Sequence, residues 1–360
     1  MTRAADVSEC DAAMPPAGEL ARDFLLGVGG TAGARSTILI DRVGGGTGDG
    51  APESVSPIPC VIAIGAFDGV HRGHADLLSR SLADARERGI AAVAVTFDPD
   101  PDEVVSDRPA PKLTTMEGRL AAMEASGVRV AVVPFTRELA ALDHVGFFEN
   151  VLAPELDIKA IHVGSDFRLG ARGASTVSVI ASWGKTRGIE VHGHVLVSEG
   201  GAAISATRIR SLIAAGDVVS ARRLLGRRPM VRGVVAPGRG QGTGMGFPTA
   251  NIEVPGFLQM PADGVYAGFA EVDGEVWPAA INAGVPPMFA DSVASARLEA
   301  NLIGFEGDLY GREVAISFDR LLRPSSTFES VDALIEAVNN DIATVRGRFG
   351  TTPVRIARDF

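Results

Sequence analysis

An open parallel α/β sheet followed by a small antiparallel barrel with a terminal helix is the architecture that three features of this 360-residue chain predict. From Cys60 to about Leu225, short apolar runs alternate with helical patterns, several closing on glycine (Gly89, Gly127, Gly188), as parallel strands joined by crossover helices require. From Met230 to about Phe318, glycines thicken and turn signals recur at Asp263-Gly264, Asp273-Gly274 and Glu306-Gly307-Asp308, which is the pattern of hairpins closing a barrel. Ser330 to Arg348 then returns to helical spacing, with Leu334, Val338, Ile342 and Val345 on one stripe.

The first 57 residues are rich in Ala, Gly and Asp, and Gly44-Gly45-Gly46 reads as flexible linker, so residues 1–57 are expected to be an extension with at most a strand over Ser36–Val43. Gly27, Gly29 and Ala32 match a dinucleotide-fingerprint spacing, but no helix clearly follows and the match is discounted. The expected strands are Val61–Ile64, Ile90–Phe97, Val130–Phe135, Ala160–Val163 and Glu190–Val197. The expected helices are Ala75–Arg88, Met116–Ser126, Val145–Leu152, Ser175–Arg187 and Ser205–Ala214. Domain limits fall at 58–228 and 229–350, with a tail over 351–360.

With 46% apolar and 22% charged residues the chain is an ordinary globular one, and no apolar run approaches the length of a membrane span. The opening stretch carries acidic residues and no continuous apolar core, so it reads as neither a secretory nor a transit signal, and a cytoplasmic protein is expected. A net charge of −10 has the wrong sign for a nucleic-acid backbone. Two cysteines, Cys10 and Cys60, exclude a disulfide framework, and Cys60 reads as a small buried hydrophobe. Oligomeric state is left open, a homo-oligomer included.

The stretch most charged with chemistry is Gly65–His74, GAFDGVHRGH, on the turn between the first strand and the helix after it. A helix start offers free N–H groups and a partial positive charge that favour an anion by about 0.3–1 kcal/mol when exposed. Gly69 and Gly73 let backbone approach such an anion, while His71 and His74 add ring N–H donors. The bland alternative is a turn with surface histidines, and the chain's six histidines make two in one turn a poor accident. In an open parallel sheet, ligands sit beyond the carboxyl ends of the strands. That is where Gly65–His74, Phe97–Pro101 and Gly164–Phe167 emerge. A fourth piece, Ile204–Arg210, places Ser205 and Thr207 before a helix carrying Arg210; either hydroxyl is also an ordinary N-cap.

In the barrel, Gly238 to Gly246 sets five glycines at alternate positions before Phe247-Pro248-Thr249-Ala250-Asn251. Such a loop can wrap a polyphosphate, or be merely a surface loop; Thr249 and Asn251 offer oxygens to a cation. Gly184-Lys185-Thr186 lacks the glycine that a phosphate-binding loop needs at Val179, and His192 with His194 shows no third ligand, so both are read as structural.

HRGH behind GAFDG resembles the HxGH signature of the nucleotidyltransferases, in the wording of the bacterial bifunctional riboflavin kinase/FAD synthetase family. GFPTAN, Gly264-Val265-Tyr266-Ala267, Asn282-Ala283-Gly284, Leu298-Glu299-Ala300 and Gly307-Asp308-Leu309-Tyr310-Gly311 are similar in order and spacing to its kinase module. The resemblance covers about 58–350 and implies a Rossmann-like nucleotidyltransferase domain before the barrel. It implies that riboflavin and ATP give FMN in the barrel, and that FMN and ATP give FAD in the sheet domain. The implied adenylyltransferase residues are His71, His74 and Arg210 for catalysis, Gly65, Phe67, Asp68, Gly69, Gly73, Ser205 and Thr207 for ATP, and Asp98, Asp166 and Phe167 for FMN. For the kinase they are Glu299 as base, Gly238, Gly244, Gly246, Pro248, Thr249 and Asn251 for ATP, Thr249 and Asn251 for Mg²⁺, and Asn282 and Arg323 for flavin. The family often has His where Asp100 stands and Ser where Ala206 stands, and it usually has a threonine where this chain reads Val285–Phe289. Retention of one activity only, a non-flavin acceptor and a non-catalytic sensor are the competing readings.

Overall fold

The computed structural model describes residues 13–28, 37–40, 56–237, 247–284 and 298–356, and the chain divides into two compact units. One comprises Gly29–Ile209 with Leu224–Gly226; the other comprises Met1–Val28, Arg210–Arg223 and Arg227–Phe360. Helix α1 (Ala17–Val28) belongs to the second unit.

The first unit is built on strands β1 (Thr37–Leu39), β2 (Ile58–Ile64), β3 (Ala91–Asp98), β4 (Arg129–Pro134) and β5 (Leu156–Gly164). A small antiparallel ladder of β6 (Arg168–Leu169) and β7 (Ser175–Thr176) precedes the last strand, β8 (Glu190–His194). The sheet order is β1-β4-β3-β2-β5-β8 and every neighbouring pair is parallel. Its helices are α2 (Arg72–Arg88), α3 (Pro101–Val105), α4 (Met116–Glu124), α5 (Arg137–Ala141), α6 (His144–Gly146), which runs into a wider π-type turn over Phe147–Leu152, and α7 (Val177–Arg187).

The pattern follows from the residues. Strand β2 is buried on both faces from Cys60 onward, so it reads as a continuous apolar run rather than an alternating one. The Cys60 thiol is pushed up to about 12 by that burial and stays protonated, an inert part of the core. Helix α2 buries Leu77, Leu78, Ser81 and Ala85 on one side and stops at Gly89, whose left-handed backbone turns its N–H onto the carbonyls of Ala85 and Arg86. Because the chain leaves β2 for β3 on one side and returns in β5 on the other, the order reverses at β2. That is the crevice where an open sheet binds ligands.

Strands β9 (Ser198–Glu199) and β10 (Ala202–Ala203) form a short hairpin, and helices α8 (Ala206–Ala214) and α9 (Val218–Leu225) follow. The second unit is a barrel of β11 (Met230–Ala236), β12 (Ala250–Glu253), β13 (Gly264–Val272), β14 (Glu275–Ala283), β15 (Leu298–Leu302) and β16 (Glu313–Pro324). Antiparallel pairing runs β13-β16-β11-β12-β15-β14 and closes through β13 with β14. Glycine is required where strands press together: a Cβ on Gly268 would stand 2.1 Å from the Ser317 carbonyl oxygen, and one on Gly233 2.2 Å from that of Glu253. Helix α10 (Val331–Phe349) lies against β13 and β14.

One expectation is corrected. Residues 1–57 are not all an extension, because α1 seats Leu20 and Phe24, at most 2% exposed, among Met230, Phe269, Ile342 and Val345. The two compact units part first at Ile209/Arg210, and Leu224–Gly226 belongs to the first unit. At the end of the chain, β17 (Val354–Arg355) pairs with β14, and the Ile356 N–H donates to the Gly274 carbonyl.

Beneath α1 lies a buried charge network. The Arg228 guanidinium donates to Asp319 at 2.9 Å, to Glu19 at 3.0 Å and to Asp23, and rests 5.1 Å over the Phe269 ring. Burial pulls the Asp319 carboxyl upward, but Arg228 and Arg320 outweigh it and hold the group below its usual range. Burying Leu20 and Phe24 contributes about 1.5–3 kcal/mol each, and stripping Arg228 from its carboxylates costs about 3–5 kcal/mol. A chain lacking residues 1–28 therefore unfolds its barrel at a clearly lower urea midpoint, and Arg228→Met lowers it further than any exposed Arg→Met change. An unchanged midpoint after the deletion would return α1 to the status of a loose extension.

Candidate active sites

The end of β2 enters a turn whose backbone is left-handed three times in four residues, at Phe67 (φ 53°), Gly69 (φ 73°) and Val70 (φ 38°). Two of these are not glycine, so surrounding structure must hold the turn in place. The Phe67 ring is fully buried, the Asp68 carboxylate accepts the Leu113 N–H at 2.9 Å, and a Cβ on Gly69 would come within 2.8 Å of Leu113.

The turn delivers the two histidines as a stacked pair, ring centroids 3.7 Å apart and planes 15° from parallel. His71 is the N-cap of α2: its Nδ1 accepts the His74 N–H at 3.3 Å, which leaves its ring proton on Nε2. Gly73 makes room for that ring, since a Cβ there would meet it at 3.2 Å. Phe67 meets His74 edge-on at 5.2 Å. Burial, then the neighbouring His71 and Arg119, push His74 well below its ordinary 6.5, so it is neutral. Its Nδ1 is buried and has no hydrogen-bond partner among the described residues, an orphan of the kind a bound oxygen satisfies.

The other predicted groups lie at the ends of β3 and β5 and at the start of α8. Asp98 ends β3 and is exposed; Asp166 follows β5 and is exposed, while Phe167 is half-buried on the sheet core. The Gly73 Cβ direction points 3.6 Å from the Ile204 carbonyl oxygen, so the histidine turn abuts the residue before Ser205. Ser205 caps α8 by accepting the Arg208 N–H at 3.2 Å, Thr207 is exposed, and Arg210 lies one turn along the helix. The Phe67 side chain is packed in the core, and the Asp68 carboxylate accepts the Leu113 N–H at the same turn.

One residue escaped sequence reading. Arg119, 2% exposed, grips both carboxylate oxygens of Asp100 at 2.5 and 2.7 Å, and Lys112 adds a third contact at 3.0 Å. The signal was Asp100 itself: an acid where the related family often has His calls for a buried cation.

In the barrel unit, register makes a second row. Glu299 on β15 stands directly opposite Asn251 on β12 and opposite Asn282 on β14. Directly opposed residues lie about 5 Å apart and share a face. Leu298, Ala300 and Leu302 fill the barrel interior, so Glu299 and Asn301 look outward, as their alternation predicts. Thr249, two residues before Asn251, is half-buried, and the carbonyl of exposed Pro248 accepts the Asn301 amide at 2.7 Å. Asn282 donates to the Gly284 carbonyl at 3.3 Å. Arg323 donates through Nη2 and Nε to Asp341 of α10 at 2.9 and 3.0 Å. Gly238, Gly244, Gly246 and the departure over Val285–Phe289 lie outside the described residues.

Residues 54–208 match the family model described as FAD synthetase, and residues 225–349 the one described as riboflavin kinase. The chain is 35% identical over 288 residues to a bifunctional riboflavin kinase/FMN adenylyltransferase of Pseudomonas fluorescens, covering 80% of this chain and 92% of that one. To the protein of the same description from Escherichia coli K12 it is 34% identical, covering 81% and 94%. A solved structure described as a macrolide-efflux protein from Streptococcus pneumoniae superposes with TM-score 0.74 at 28% identity, covering 82% of this chain and 96% of that one. Among the described residues no helix is long and apolar enough to cross a membrane.

The neutral state of His74 has a consequence for stability. The unfolded chain binds a proton at His74 near pH 6.5 and the folded one does not, so acid favours unfolding through this group below that value. Lowering pH from about 7.5 to about 5.5 costs the first unit on the order of 1 kcal/mol through His74 alone, and His74→Gln abolishes that share in urea titrations at the two pH values. An equal loss in both proteins would mean that His74 protonates freely when folded.

Proposed function

The chain belongs to the bacterial family of bifunctional riboflavin kinases/FMN adenylyltransferases, and on that premise we propose that the two units work in succession, the barrel making FMN from riboflavin and ATP and the sheet unit making FAD from FMN and ATP. The observation that carries this reading is the coincidence of the two matched segments with two separate constellations, the stacked histidines in one and the Asn251–Glu299–Asn282 row in the other. Cytoplasmic location accompanies it, since both steps draw on ATP.

In the sheet unit, a phosphate oxygen of FMN attacks the α-phosphorus of ATP in line, and pyrophosphate leaves. The protein's part is to position the two anions and stabilise charge. His71, donating from Nε2, and His74, with its unpartnered Nδ1, face the phosphates as donors. Gly65, Gly69 and Gly73 admit the polyphosphate to the backbone of the turn, and Ser205, Thr207 and Arg210 hold the departing pyrophosphate. Asp98, Asp166 and Phe167 line the FMN side.

In the barrel, Glu299 takes the proton from the primary alcohol of riboflavin, whose oxygen attacks the γ-phosphorus while ADP leaves. The Thr249 hydroxyl, just before β12, and the Asn251 amide within it are oxygen donors of the kind a hard divalent cation takes, and they fit Mg²⁺. Mg²⁺ bound there neutralises the phosphates of ATP. Pro248 shapes the ATP side, and Asn282 and Arg323 meet the flavin.

Incubation with riboflavin, ATP and Mg²⁺ yields FMN and then FAD; formation of neither would sink the reading. Glu299→Ala lowers FMN formation by about 10²–10⁴-fold while added FMN is still converted to FAD. His74→Ala lowers the second step by about 10²–10³-fold and spares the first. Loss of both steps in either folded variant would show that the sites are not separate.

A further inference from the structure

Half of the chain's six histidines stand on β5 and β8, outside the turn that carries the stacked pair, and the sequence pattern left two of them, His192 and His194, without a third ligand. The fold supplies it. Parallel register sets His162 of β5 directly beside His192 of β8, and His194 beside Gly164. The His162 Nε2 lies 2.9 Å from Asp84 Oδ2 on α2, and its Nδ1 lies 3.0 Å from His194 Nε2. Ligand atoms of Asp84, His162 and His192 all fall within 4.8 Å of one another. Glu190 Oε2 lies 3.4 Å from His192 Nε2, and Arg88 ties Asp84 Oδ1 at 2.6 Å to Glu190 at 3.0 Å.

We propose that Asp84, His162 and His192 bind one divalent transition-metal ion of the zinc type, joining α2, β5 and β8, with His194 positioning His162. Tetrahedral ligands about 2.0–2.1 Å from zinc stand about 3.3 Å from each other, so only a few tenths of an ångström separate the Asp84–His162 contact from ligand spacing. Two imidazoles with one carboxylate select such an ion over Mg²⁺, which wants oxygen ligands. His162 binds through Nε2 once its ring proton moves to Nδ1, where it donates to His194 Nε2; the proton that His194 gives up there moves to its own Nδ1, so loading releases none. A hydrogen bond of this kind from the far nitrogen is what fixes a metal-binding imidazole. Burial, chiefly, holds both His162 and His194 below their ordinary range, which keeps them neutral and able to act in this way. Arg88 spans the two carboxylates and offsets their charge, leaving Asp84 Oδ2 turned to the imidazoles. His192 has a side chain 41% exposed on an edge strand, so an ion enters from solvent and water completes the shell.

The test uses the full chain, freed of metal by a chelator and titrated with Co²⁺ and then Zn²⁺. One equivalent of Co²⁺ binds with the intense visible bands of a four-coordinate site, and Zn²⁺ displaces it. His192→Ala, at a partly exposed position, keeps the metal-free urea midpoint and both flavin activities but weakens binding by at least about 100-fold, beyond the loss seen for outer-sphere partners. His74→Ala leaves binding intact. The absence of tetrahedral Co²⁺ bands from the unaltered chain, binding indifferent to His192→Ala, or binding abolished by His74→Ala would each overturn the proposal.

Discussion

Two imidazole rings lying face to face at 3.7 Å tolerate at most one charge between them, and the sheet unit is arranged so that His74 carries none. Burial does most of this, and nearby positive charge does the rest. The left-handed backbone at Phe67, Gly69 and Val70 brings the rings together, so every group that holds that backbone also serves the pair. Asp68 spends its carboxylate on Leu113, and Phe67 spends its ring on the core. Phe67 and Asp68 thereby help to fix the backbone that carries the pair. A turn adopted at some local cost is kept because the sheet on one side and the Leu113 segment on the other leave it no alternative.

The barrel solves the opposite problem. Its proposed reacting groups stand on the outward face of a closed sheet whose interior is filled by Leu298, Ala300 and Leu302, so nothing about the row depends on strain. Registry does the positioning: a slip of one residue on β15 would turn Glu299 inward and Ala300 out. Two anchors oppose such a slip, the pairing of β15 with strands on both sides and the close glycine contacts that seal the barrel. The two sites thus rest on different physics, one on a turn held out of its preferred conformation and the other on strand alternation.

That contrast explains what could be read from the chain alone. Periodicity located the principal strands of the sheet unit and the alternation of Glu299 with Asn301, and turn signals marked the second unit as a barrel, because burial on one face leaves a mark at spacing two or 3.6. It failed where a buried position carries charge. Helix α1 hides because Asp23, 1% exposed, sits on the face that Leu20 and Phe24 share, and its partner Arg228 is some two hundred residues away in sequence. His162 hides for the same reason: within β5 it looks like a polar interruption, and only the pairing with β8 shows what it faces. The role of Arg119 was invisible until Asp100 was seen to need it.

Asp100 also shows how a change in a site residue is absorbed. A carboxylate at a position 3% exposed would cost several kcal/mol uncompensated, and Arg119 with Lys112 supplies the compensation. The pair is close to neutral as a unit, yet Arg119 still lowers the proton affinity of His74. The acid therefore tempers a cation that would otherwise bear on the histidine pair at full strength. Electrostatics at the turn is set by a three-part balance of Asp100, Arg119 and His74, in which the outermost member never needs to touch a substrate. An overall charge of −10 is no obstacle to binding polyphosphates under these conditions. Within a Debye length of about 8–10 Å, what an anion at the proposed site would meet is set by the backbone N–H groups and imidazoles of the turn rather than by the net charge of the chain.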